Sequence, residues 1–307
     1  SRGPGDAYKR QIYANMGEMD NKGVDANLEY QTRIGNKVGL RLFGNLTYSK
    51  NKIVFRDEPA MQYAYQKSEG TRYGEFYGYI AEGYFQSEEE IKKSPRQMRE
   101  LAPGDIKYKD LNDDGVIDAN DQCYLGKSWF PSWSYGMGFN INYHNFDLAL
   151  FFQGVSDVSI MANGGSIDTG NGDWGASGVG IVPFTGMGLN PSNVITKALD
   201  RWTADNPRAD AWYPRMTANA TTNDNNYVNS THWLKDGSYL RLKQASLGYT
   251  LENKKLMDKG IEYLYFYLSG QNLLTFSKFK LWDPELGSNG AKYPLSRMVT
   301  LGMRVSF

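Results

Sequence analysis

The chain is poor in the residues that most enzyme chemistry needs. It holds one cysteine and two histidines in 307 residues. Cys123 therefore has no partner within the chain, and no disulfide framework is expected. Neither an HExxH nor a CxxC pattern occurs, and GASG at 175–178 is not a nucleophile elbow. His144 and His232 stand apart, and Glu88, Glu89 and Glu90 read as a solvated charge run, so no enzyme is expected. An excess of one charge is also missing: 34 basic residues face 34 acidic ones, which argues against nucleic acid as a partner. Long apolar runs are absent as well. Nothing approaches the roughly 20 residues of a spanning helix, and a mean hydropathy of −0.58 rules out a helical membrane protein. The first residues, SRGPGDAYKR, show neither an initiator Met nor a signal peptide, as expected of a chain cut from something longer.

What is abundant points one way. There are 22 Tyr and 33 Gly, and several segments alternate at a period of two, the pattern of a β-strand. Val24, Ala26, Leu28 and Tyr30 share one face of the first, and Val38, Leu40, Leu42, Leu46 and Tyr48 one face of the next. Tyr135, Met137, Phe139, Ile141 and Tyr143 oppose Ser134, Gly136, Gly138, Asn140 and Asn142. After a turn at His144–Asn145 come Phe146, Leu148, Leu150 and Phe152. The chain closes with Val299, Leu301, Met303, Val305 and Phe307 against Thr300, Gly302, Arg304 and Ser306.

Soluble sandwiches alternate too. Three details favour an all-β, antiparallel transmembrane barrel. The strands run about 10 residues, the length that crosses a bilayer at a tilt. Their second faces are Gly, Asn, Ser and Arg, which suits a polar lumen. Tyr30, Tyr48, Trp133, Tyr143, Trp233 and Tyr249 gather at strand ends, where interfacial girdles sit. Short links at 34–37, 144–145 and 252–260 alternate with long ones at 50–132, 155–237 and 272–296. Short periplasmic turns and long extracellular loops give that alternation. It predicts about seven or eight strands and places Tyr77–Gln86 in an outer loop rather than in a spanning strand.

The first long loop contains DLNDDGVIDAND at 110–121, spaced like an EF-hand calcium loop. Asp110, Asn112, Asp114, the Val116 carbonyl, Asp118 and Asp121 are the candidate oxygen ligands, with Gly115 at the sharp turn and Ile117 as an apolar anchor. The terminal ligand is Asp where the longer Glu is usual, and no clear helix precedes the loop. An acidic Asx-turn, with these side chains satisfying their own backbone, is the competing reading.

PGDIKYKDLNDDGVIDANDQ (103–122) followed by PSWSYGMGFNINYHNFDLALFFQG (131–154) resembles the SusC/RagA family of TonB-dependent outer-membrane transporters of Bacteroidetes. NKGVDANLEY, GYIAEGYFQSEEE, WLKDGSYLRLKQASLGYTL and YFYLSGQNLLTFSKF match in family order, over nearly the whole chain and only the carboxy-terminal part of the family. The resemblance implies a plugged barrel of about 22 strands, of which this chain supplies the last seven or eight in the bacterial outer membrane. It further implies a SusD-like surface lipoprotein as lid, a separate plug and remaining barrel wall, and energy from the TonB complex. The expected function is active import of a glycan or an oligopeptide; the alternative is a stand-alone small barrel with a structural or adhesive role. Calcium in the acidic loop would then be structural, clamping an outer loop. Among the loop tryptophans (Trp129, Trp174, Trp202, Trp212 and Trp282), Trp174, Trp212 and Trp282 are the candidate contacts for substrate or partner lipoprotein. The same residues serve equally to hold long loops together. The Gly-rich DTGNGDW at 168–174 is not a phosphate loop, since no GKS or GKT follows.

Overall fold

The computed structural model describes residues 16–35, 37–163, 195–217, 225–290 and 292–307. Seven strands form one sheet: β1 (Gly17–Ile34), β2 (Val38–Arg56), β7 (Trp133–Tyr143), β8 (Phe146–Ser156), β11 (Tyr239–Leu251), β12 (Tyr263–Ser277) and β13 (Met298–Ser306). They lie side by side in that chain order, every neighbouring pair antiparallel. The turns at one end are short. Gly35 takes φ +57 between β1 and β2, and His144 takes φ +52 between β7 and β8, the left-handed region that tight hairpin turns need. Asn145 fastens this turn to the next strand, accepting from the Thr250 amide at 2.8 Å and donating to its carbonyl at 2.7 Å. No helix among the described residues is long and apolar enough to cross a membrane.

Register carries the alternation from strand to strand. Leu40, Ile141, Leu148, Leu247, Leu268 and Leu301 are successive cross-strand partners on one face. Leu301 is 80 % exposed and Leu28 76 %, so this face packs against nothing among the described residues. At the turn end Tyr143, Phe146, Tyr249 and Phe266 are also successive partners, with Phe146 and Tyr249 rings 4.7 Å apart. At the other end Tyr48 meets Trp133 at 4.4 Å. β7 therefore begins and ends in an aromatic residue.

Three expectations change. First, β1 and β2 run 18 and 19 residues, well beyond the expected ten, because their polar upper halves keep pairing past the apolar band. The long links accordingly begin after Arg56, Ser156 and Ser277. Second, the other face is not uniformly polar. Phe43 and Phe151 stack there at 6.0 Å over Gly138, where a Cβ would stand 2.5 Å from the Phe43 ring. The glycine supplies the bed on which a cross-strand aromatic lies. Third, Trp233 is not a girdle residue. It is wholly buried beyond the sheet, beside His232.

The remaining elements form a second body at the loop end. Strands β3 (Glu75–Gly78) and β6 (Cys123–Ser128), β4 (Ala81–Tyr84) and β5 (Ile106–Tyr108), and β9 (Ser159–Met161) and β10 (Leu234–Asp236) make three small hairpin-like sheets. The helix α1 (Glu88–Lys93) is capped by Ser87. Tyr77–Gln86 thus lies outside the large sheet, as the sequence pattern required. Tyr84, Ile106, Tyr108, Trp202, Tyr213 and Trp233 pack together as the core of this body.

Candidate functional site

Two places carry the candidate residues, the acidic loop and a cleft beside β10. The acidic loop is anchored by Ile117, which is 1 % exposed in the core, while its amide donates to the Arg96 carbonyl at 2.7 Å. Its carboxylates turn inward onto the loop's own backbone. Asp110 Oδ2 accepts from the Gly115 amide at 2.8 Å, Asn112 Oδ1 from Asp114 at 3.1 Å, and Asp114 Oδ1 from Val116 at 2.8 Å. Asp118 accepts from Asn120 at 2.7 Å. Asp121, fully buried, accepts from Leu111 at 2.7 Å and from Asp118 at 2.9 Å. Asp113 at φ +59 and Gly115 at φ +80 make the sharp turn.

These are Asx-turn bonds, and they account for most of the polar atoms. One is left over: Asp110 Oδ1 is buried without a hydrogen-bond partner. Among the described residues no three His, Cys, Asp or Glu side chains converge as a metal-holding group. The donor set of carboxylate, amide and carbonyl oxygens suits a hard cation such as calcium, and the orphaned oxygen is the one feature that a cation would satisfy.

The loop tryptophans divide. Trp174 and the 168–174 stretch lie outside the described residues. Trp202 is a core residue at 6 % exposure, seated on Gly104, whose φ of +93 brings its backbone against the ring. Trp129 packs on Phe130 at 4.4 Å. Trp212 and Trp282 come together on the wall of one cleft of about 920 Å³. Both are half-buried and packed against the core. Trp212 meets Trp233 edge-on at 5.4 Å, and Trp282 Nε1 donates to the Gly287 carbonyl at 2.8 Å.

Several residues that the alternation could not single out hold this region in place. Arg241, 1 % exposed on β11, pairs with Asp283 at 2.6 Å, fixing the 278–297 link to the large sheet. Arg72 reaches Asp157 at 3.0 Å and Ser132 at 2.7 Å, fixing the first link to β7 and β8. Inside the second body Asp105, 2 % exposed at its side chain, takes Arg215 at 2.7 Å and the Asn226 amide at 2.7 Å. His232 lies beside the Tyr84 hydroxyl and the Trp212 carbonyl. Burial, with the neighbouring Lys235 charge second, pushes its pKa down to about 4. An Arg that is lone in sequence reads as a surface charge. Only a contact 42 residues away identifies Arg241 as a buried clamp.

No family model matches the chain. Two TonB-dependent receptors of Formosa agariphila are 26 % and 28 % identical to it over 321 and 319 residues, 95 % of this chain in each case. Among solved structures, the RagAB peptide transporter superposes with a TM-score of 0.67 at 20 % identity over 96 % of the chain. The closed-closed state of the RagAB peptide importer also gives 0.67, at 22 % identity. The chain spans about 30 % of the length of these relatives and structures. The resemblance to TonB-dependent transporters is therefore borne out, and the fold is a segment of their barrel wall.

Proposed function

We propose that this chain, a relative of TonB-dependent receptors, is the carboxy-terminal part of a barrel through which a nutrient is actively imported across the outer membrane. The observation that carries this reading is the parity of the large sheet. With seven antiparallel strands in chain order, β1 and β13 run in the same direction. Direct closure would join them as a parallel pair, whereas outer-membrane barrels are antiparallel throughout. Both edges are unpaired among the described residues, and a lipid-facing strand cannot leave its backbone groups unpaired. Further wall strands on both sides satisfy that demand, which disfavours a stand-alone barrel.

In this reading the Leu-rich face meets lipid, the aromatic rows at its two ends sit at the interfaces, and the short turns face the periplasm. The second body is extracellular. A SusD-like lipoprotein covers it, a plug fills the lumen, and the TonB complex supplies the energy. The cargo is a glycan or a peptide, and the relatives' transport role makes catalysis by this chain unnecessary. Calcium at Asp110, Asn112, Asp114, Val116, Asp118 and Asp121 would screen the carboxylates and stiffen the first outer loop. It would act structurally and take no part in transport.

Intact-mass analysis of every chain in the detergent-purified complex tests the proposal. Co-purification of a plug, earlier strands and a lipoprotein supports it. A monodisperse particle of this chain alone, folded and heat-modifiable on a gel, would remove the importer reading.

A further inference from the structure

The cleft that brings Trp212 and Trp282 together has a lopsided charge. Lys197, Lys235, Lys278 and Lys280 line it, and among the described residues Asp236 is its one carboxylate. Lys197 is answered by Asp200 at 2.7 Å. Lys278 comes no closer than 4.0 Å to Asp236, with 88 % of its side chain exposed. Among the described residues Lys280 has no ion-pair partner. Among the described residues Lys235 Nζ donates only to the His232 carbonyl, at 2.6 Å, and it lies over the Trp212 ring, 5.3 Å from its centroid. Burial, with the Lys197 charge second, holds the Lys235 pKa below the usual lysine value.

Apart from Thr196 and Gly290, the rest of the described wall is aliphatic and aromatic: Ile195, Phe279 and Leu281 accompany the tryptophans. Neutral sugar hydroxyls need a mixture of acceptors and donors together with bare aromatic faces. Among the described lining residues Asp236 is the one acidic acceptor, the Thr196 hydroxyl is the one neutral polar side chain, and there is no Asn or Gln. Each tryptophan ring also has a close neighbour already. Lys235 covers Trp212, and Gly290 approaches Trp282 so closely that a Cβ would stand 2.5 Å from the ring. A ligand that fits must bring negative charge for the lysines and an apolar group for Ile195 and Leu281. A polypeptide alternating acidic with apolar side chains has both, and a volume of about 920 Å³ is within the range of binding clefts of roughly 300–1,000 Å³.

We infer that this cleft, between β10 and the Lys278–Leu281 segment, receives an acidic oligopeptide, its carboxylates on the lysines and an apolar side chain against Ile195 and Leu281. The inference deepens the import reading and rests on it, since it names the cargo class that the extracellular body engages. Exposed lysines contribute through a field that salt screens, so binding weakens as ionic strength rises.

The test is fluorescence-polarisation binding to the detergent-purified intact assembly. The probes are a labelled pentapeptide alternating glutamate with leucine, its lysine–leucine counterpart, and a labelled oligogalacturonate. The glutamate peptide should bind at least about tenfold more tightly than the lysine peptide and lose affinity between about 50 and about 500 mM NaCl. Charge reversal by K278E with K280E, both on exposed side chains, should cost at least about tenfold. Equal affinity for the two peptides, or no effect of the double variant, would overturn the inference. Tighter, equally lysine-dependent binding of oligogalacturonate would overturn the peptide assignment in favour of an acidic glycan. Binding in detergent needs neither TonB nor a proton gradient, so its failure leaves the import reading to be judged by the co-purifying chains.

Discussion

Arginine placed at Met137 should weaken the barrel far more than arginine placed at Asn45, although the two sites lie side by side at one depth. Asn45 pairs with Gly136, the immediate neighbour of Met137. The depth follows from β7, which has 11 residues and ends in Trp133 and Tyr143. At about 3.4 Å per residue and a tilt of about 40°, the distance from Trp133 to Tyr143 spans roughly 26 Å of membrane. Met137 then lies roughly 10 Å below Trp133 and roughly 16 Å above Tyr143, close to the midplane. Its side chain is on the lipid face, with 47 % of the residue exposed. A midplane arginine on that face costs about 2–4 kcal/mol, a shift of roughly 30- to 900-fold in the folding equilibrium. Asn45 is exposed on the opposite, lumen-side face between Asn27 and Gly136, where an arginine is not pressed against lipid. Its variant should stay within about 0.5 kcal/mol of the parent. Denaturant titration of the intact protein in lipid vesicles, followed by tryptophan fluorescence, reads both. Equal destabilisation by Met137→Arg and Asn45→Arg would refute the assignment of faces and, with it, the transmembrane reading.

Asp283→Ala removes the nearest counter-ion of the buried Arg241 guanidinium and leaves it only Glu285, at 3.8 Å. It should cost about 3–5 kcal/mol, seen as early proteolytic cleavage between 278 and 297, whereas parental cleavage rates would show that the pair is dispensable. His232 has a folded pKa near 4, below its unfolded value of about 6.5. The folded state therefore binds fewer protons, and the stability held by the neutral ring is full above pH 6.5 and lost as pH falls towards 4, by at most about 3 kcal/mol. Melting of the second body should drop over that window, and His232→Gln should flatten the drop; a slope that survives the substitution would assign it elsewhere. For the acidic loop, EDTA should speed protease cutting within 100–130, and Asp110→Ala with Asp114→Ala should abolish that sensitivity. Protection that ignores both would leave the hydrogen-bonded turn without calcium. Gly138→Val must displace the Phe43 ring and approach the Leu150 carbonyl. It should lower stability by about 1–3 kcal/mol in the same vesicle titration, and a neutral result would deny the glycine bed.

The strand alternation was legible because a two-residue period is a local property, set by which side each Cβ takes. Leu40, Ile141, Leu148 and Leu301 could be put on one face from spacing alone. The antiparallel pairing across each short link was legible too, since a short link forces its two strands side by side. Strand length was not. Pairing continues past the apolar band for as long as backbone partners remain, so β2 reaches Arg56 through Ser49, Lys50 and Asn51. Trp233 was misread for a related reason. Its position beside a strand resembles a girdle, but β10 belongs to another sheet, and its ring fills a core assembled from segments over a hundred residues apart.

The site shows the same division. The acidic loop announced itself because its turn geometry is written within 12 residues. The sequence likewise determined the barrel class, the parity of the links and the separation of Tyr77–Gln86 from the spanning wall, all of them consequences of local period and link length. Tertiary structure alone decided that Trp212 and Trp282 share a cleft, that Arg241 is a buried clamp for Asp283, and that Lys197, Lys235, Lys278 and Lys280 converge on one wall. Charge and aromatic content are spread along the chain without a period. Where they meet depends on how the long links fold back on one another, and no local rule records that.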